Sequence, residues 1–110
     1  MNALIIKKPW IDYILSGEKT WEIRGCSTNK RGIIELIQSK SGCVVGSCEL
    51  VDCVKLDIVK YKTSIDKHCI QNVDKLPYNT TYAWVISNAK RYDVPRKYQH
   101  PKGAVIWVKL

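Results

Sequence analysis

Residues 43–54 (Cys-Val-Val-Gly-Ser-Cys-Glu-Leu-Val-Asp-Cys-Val) form a long, mostly apolar and β-branched run. Such a run reads as a strand. Gly46 lies inside it, and a glycine within a strand pattern marks a bend or bulge. A strand this long that also bends is what a small sheet needs in order to curl on itself, so the chain is read first as a curved β structure.

The flanking segments agree. Residues 3–7 (Ala-Leu-Ile-Ile-Lys) are a short apolar strand, and residues 20–24 are a second. Residues 31–38 make a third strand, with Ile34 and Leu36 on one face. Residues 56–59 are expected to continue the long strand after a break. Residues 81–87 (Thr-Tyr-Ala-Trp-Val-Ile-Ser) and 104–109 (Ala-Val-Ile-Trp-Val-Lys) are aromatic and β-branched and supply the last two strands. Two short helices are expected. One covers residues 9–16, where Pro9 suits a first helical position, Trp10, Tyr13 and Ile14 share a face, and Gly17 supplies the stop. The other covers residues 64–70, capped by Thr63 or Ser64. Residues 72–80 are a loop, and residues 92–103, basic with Pro95 and Pro101, read as an extended loop. About six strands and two short helices without βα alternation give an α+β fold, a small mixed β-barrel or strongly curved sheet. At 110 residues the chain is expected to be a single domain, 1–110.

Five cysteines, Cys26, Cys43, Cys48, Cys53 and Cys69, include no C-x-x-C pair. Zinc ribbons and redox dithiols usually need that spacing, so free thiols, no metal and no cofactor are expected. No apolar run is long enough for a membrane helix, and the N-terminus lacks a signal-peptide pattern. A cytoplasmic location and a monomer are the default expectations. The formal net charge is +8, which favours polyanionic partners. Lys90, Arg91, Arg96, Lys97, Lys102 and Lys109 crowd the last third of the chain against a single acid, Asp93. The first five of these are the candidates for contacting a nucleic-acid backbone.

The stretch Gly17-Glu18-Lys19-Thr20-Trp21-Glu22-Ile23-Arg24 gathers the charged chemistry. Glu22 and Arg24 are two apart, so on a strand they share a face, roughly 6–7 Å apart. A lysine, a carboxylate and a guanidinium brought together can recognise a base edge, a phosphate or an acyl group. The same spacing fits a solvated ion-pair cluster. There is no G-x-S-x-G, Walker loop or H-E-x-x-H. His68 and His100 have no partner at ligand spacing and are expected at the surface. Trp10, Trp21, Trp84 and Trp107, in a chain with no phenylalanine, offer rings that either stack on bases or fill the core. Trp107 is assigned to the core.

Lys8-Pro9-Trp10, followed by Ile14 and Leu15 and then Ser16 through Arg24, resembles the opening of the ASCH domain, with its G-x-K-x-x-E-x-R motif. T-N-K-R-G at residues 28–32, residues 45–53, residues 82–85 and residues 98–107 resemble it too, so the likeness spans essentially the whole chain. The resemblance implies a PUA-like barrel with a cleft lined by the motif, in a group that binds RNA or holds a modified base. Lys8, Trp10, Lys19, Glu22, Arg24 and Trp84 are then the expected ligand-binding residues, for single-stranded RNA, a modified nucleoside or DNA. Some small ASCH proteins deacetylate N4-acetylcytidine without a metal, and ribonuclease activity is reported in the family. The deacetylase branch places a catalytic threonine three residues after the motif lysine. Here that position is Glu22, and the branch's downstream glutamate has no matching residue. For an enzyme, Lys19 and Glu22 would be the catalytic pair, with Lys19 alone carried over from that branch.

Overall fold

The computed structural model describes all 110 residues. Six strands form one sheet. They are β1 (Asn2–Ile6), β2 (Trp21–Arg24), β3 (Gly32–Gln38), β4 (Cys43–Leu56), β5 (Thr81–Lys97) and β6 (Trp107–Lys109). Their order across the sheet is β2-β5-β4-β3-β1-β6. The β1–β3 pair is parallel and the other pairs are antiparallel. Three short helices accompany them: α1 (Trp10–Leu15), α2 (Ile58–Lys62) and α3 (Ile65–His68).

The long β4–β5 ribbon is bent at three breaks in register. At one of them Arg91 pairs with Gly46 and Arg96 with Val44, so residues 92–95 bulge out of the ladder. This explains how Pro95, which has no N–H to donate, sits inside a strand. Residues 92–97, expected as loop, therefore belong to β5. Gly46 lies at the same break, as its position in the apolar run predicted. A side chain there would run into the Lys90 carbonyl oxygen and would meet Leu15 Cδ2 at 2.6 Å. The missing Cβ is what lets α1 press against the ribbon.

Residues 58–59 are helical, where continued strand was expected. Asp57 decides this: its side chain accepts from the Lys60 N–H at 2.7 Å, an N-cap that starts α2 despite two β-branched residues. The last strand begins at Trp107 rather than at residue 104.

The sheet does not close into a barrel by hydrogen bonding. Its end strands, β2 and β6, are four and three residues long, too short to sustain a further ladder. Side chains close the gap. Arg24 of β2 donates through Nη2 to the Ile5 carbonyl of β1 at 2.9 Å. Trp84 of β5 stacks on Trp107 of β6, with ring centroids 5.7 Å apart. The main core, with Leu4, Ile6, Ile11, Ile14, Leu36 and Leu50, lies inside this curl. All five cysteines are free, and burial pushes the Cys48 thiol up to about 12. No helix is long and apolar enough to cross a membrane.

Candidate functional site

The turn after α1 delivers Lys19 to the entrance of β2, where its N–H bonds to the Tyr13 carbonyl. Its ammonium is buried, the side chain 1% exposed. Nζ donates to the His68 carbonyl at 2.6 Å, lies 3.9 Å from Glu22 Oε1 and sits 5.0 Å from the centroid of the Trp10 ring. Burial pulls the Lys19 pKa below the usual ammonium range, and the Glu22 carboxylate only partly opposes this. On β2, Glu22 and Arg24 share a face, as their spacing requires. Glu22 Oε2 accepts from Arg24 Nε at 3.0 Å and lies 2.9 Å from Nη2.

These groups open onto one cavity of about 350 Å³. Lys19, Glu22 and Arg24 form its charged wall, and Trp10 and Tyr78 contribute rings. Ile5, Ser39 and Val105, from the other end of the sheet, complete it. Unused hydrogen-bonding capacity shows what the wall can offer a guest. Arg24 Nη1 makes no hydrogen bond within the protein, Lys19 has two further N–H donors, and Glu22 Oε1 has only the distant Lys19 ammonium. The wall thus presents donors on both sides of one acceptor.

Trp10, Lys19, Glu22 and Arg24 are brought together here; the other two expected ligand contacts are elsewhere. Trp84 is 1% exposed. Its indole N–H donates to the Cys26 carbonyl at 2.9 Å, and it meets the site only through Arg24, whose guanidinium carbon stands 5.6 Å from the ring centroid. Lys8 is exposed and lies 3.9 Å from Asp12. Among the basic residues expected on a nucleic-acid backbone, two are already paired. Arg91 contacts Asp12 at 3.1 Å, and Arg96 contacts Glu35 at 2.7 Å. Lys90, Lys97 and Lys102 are exposed and form no ion pair. His68, expected at the surface, is fully buried and stacked on Tyr61. Tyr78 was missed by the sequence reading. Pro77-Tyr78, an aromatic anchored by proline within a polar loop, was the available signal.

The ASCH domain profile matches residues 4–96. The chain belongs to the ASCH domain family. This is a PUA-like fold family with a proposed RNA-binding activity. The crystal structure of ASCH from Zymomonas mobilis superposes with a TM-score of 0.76 at 14% identity, covering 99% of this chain and 86% of that one. A serine-to-alanine variant of that protein gives the same score and identity, with 99% and 87% covered. A tyrosine-to-phenylalanine variant gives 0.75 at 14% identity, with 99% and 88% covered. At that identity the likeness speaks for the fold. No curated protein matches the chain in sequence.

Proposed function

We propose that this ASCH domain binds a nucleobase or nucleotide of single-stranded nucleic acid, RNA in the first place, in the cavity walled by Lys19, Glu22, Arg24, Trp10 and Tyr78. The observation that carries this is the convergence of unspent donors and one unspent carboxylate oxygen on a cavity with aromatic rings. Glu22 Oε1 accepts from an exocyclic amine such as cytosine N4. Lys19 or Arg24 Nη1 donates to a base carbonyl or to phosphate. Trp10 and Tyr78 offer faces for stacking. The excess positive charge of the chain draws the strand in and makes binding salt-dependent. Titrating the protein with short RNA and DNA oligonucleotides at two salt concentrations, following tryptophan fluorescence, tests this. Expected is a quench that weakens at high salt; no response at low salt overturns the reading.

A second reading, metal-free hydrolysis of an N4-acetylated cytidine, has one observation in its favour. Lys19 and Glu22, their side chains 1% and 8% exposed, face each other at 3.9 Å on the cavity wall. Glu22 would take a proton from water as its oxygen adds to the acetyl carbonyl, Lys19 would stabilise the oxyanion, and on its collapse Glu22 would return the proton to N4 as the C–N bond breaks, releasing cytidine and acetate. Chromatographic conversion of N4-acetylcytidine to cytidine and acetate, lost in Lys19→Ala, is the expected result. Absent turnover removes this reading and leaves the first intact.

A further inference from the structure

Two further cavities adjoin the first, and their charge differs. The second, about 400 Å³, shares Ile5, Ser39 and Val105 with it and adds Lys40, Tyr98 and His100. The third shares Trp10 and Ile70 with the first but carries the carboxyl groups of Glu18 and Asp66 and no lysine or arginine. A nucleic-acid strand leaving the central cavity carries a phosphate with it, so the third cavity repels it and the second attracts it.

The seam between the first two cavities suits that phosphate. Lys7 lines the first and Lys40 the second, both exposed and neither in an ion pair. The Ser39 hydroxyl between them makes no hydrogen bond within the protein, its backbone N–H being fixed to the Ile6 carbonyl at 2.9 Å. The far wall of the second cavity is held in shape by a short relay. The Tyr98 hydroxyl meets His100 Nδ1 at 2.8 Å, and His100 Nε2 meets the Ala104 carbonyl at 2.9 Å. Val105, 76% exposed, leaves an apolar shoulder at the junction.

We propose that the second cavity is a subsite for the adjacent nucleotide, the linking phosphodiester crossing the Ser39 seam between Lys7 and Lys40. The ligand class is then a single-stranded segment of at least two nucleotides rather than a free nucleoside. This rests on the nucleobase reading of the first cavity.

Isothermal titration with cytidine, cytidine monophosphate, the dinucleoside monophosphate CpC and a CCC trinucleotide tests it. CpC is expected to bind at least about ten-fold tighter than cytidine. Lys40→Ala should remove most of that gain while leaving cytidine affinity unchanged, whereas Asp66→Asn should not reduce it. If cytidine binds and CpC gains nothing, or if Lys40→Ala leaves the gain intact, the subsite is overturned and the first cavity's assignment stands. If none of the four binds, both are overturned.

Discussion

Arg24 holds two things at once, the carboxylate of Glu22 and the backbone of β1. Replacing it with alanine strands a carboxylate that is 8% exposed and unties the sheet ends. Arg24→Ala is expected to lower unfolding free energy by about 3 kcal/mol, the usual cost of breaking a largely buried pair from one side, as read by urea denaturation. Arg24→Lys should recover little, because one ammonium cannot reproduce the guanidinium fork. Beside it, Gly25 carries no side chain because Tyr78 lies where one would be; a Cβ there would stand 2.8 Å from Tyr78 Cδ1. Gly25→Ala is expected to push the Tyr78 ring off the cavity wall and weaken oligonucleotide binding several-fold. Comparing its melting curve with its binding isotherm checks that the loss is local. The Glu22–Arg24 pairing was readable in advance, because strand periodicity alone puts the two on one face. The place of Trp84 was not: alternation says which residues share a face, never which face looks inward. The surroundings of Lys8 were not legible either: it lies 3.9 Å from Asp12, one helical turn on.

α3 is a single turn, and what fixes it is the imidazole of His68. The Ile70 N–H donates to Nδ1 at 3.0 Å, which leaves Nε2 to donate to the Tyr61 carbonyl at 2.7 Å. That arrangement needs the neutral ring. Burial lowers the His68 pKa below its ordinary value of about 6.5, against the smaller pull of the Tyr61 bond. The unfolded chain therefore takes up the proton first, and stability present above pH 6.5 drains away as pH falls through the lowered value. Since the His68 carbonyl holds Lys19, the site should loosen with it. Urea unfolding between pH 7.5 and 5.5 is expected to show this slope, and His68→Gln should flatten it. Glu35 gives a separate, lower window. Burial works against its charge, yet hydrogen bonds from Arg96 and Tyr92 outweigh this and hold its carboxyl below its ordinary 4.5, so its contribution is lost only in more acid solution. On the β4–β5 ribbon, Gly46→Ala is expected to destabilise by more than about 2 kcal/mol, because the new methyl meets a backbone carbonyl that cannot step aside. The bend at Gly46 was legible because glycine interrupts an apolar run there. α2 was not, because Ile58 and Val59 look like strand and only the Asp57 cap outvotes them.

Across the whole molecule the 18 lysines and arginines overstate what is free to meet a polyanion, because Arg91 and Arg96 among them are already answered by Asp12 and Glu35. Composition could show the excess but not this internal use of it. Lys97→Ala or Lys102→Ala is expected to weaken single-stranded binding about equally for every sequence and to shallow the salt dependence by roughly 0.7 per lost phosphate contact; Arg96→Ala should instead show first in the melting temperature. The curved sheet was legible from its strand count and its glycine, while its failure to close was not, because ladder length at the ends depends on where β2 and β6 stop. The open seam has a thermodynamic consequence. The central cavity takes Arg24 from one end of the sheet and Ile5 and Val105 from the other, so a guest lodged there spans the missing rung. By linkage, whatever it gains in binding it returns as resistance to unfolding. Amide exchange across β2 and β6 should slow together on saturation, two strands at opposite ends of the sheet behaving as neighbours.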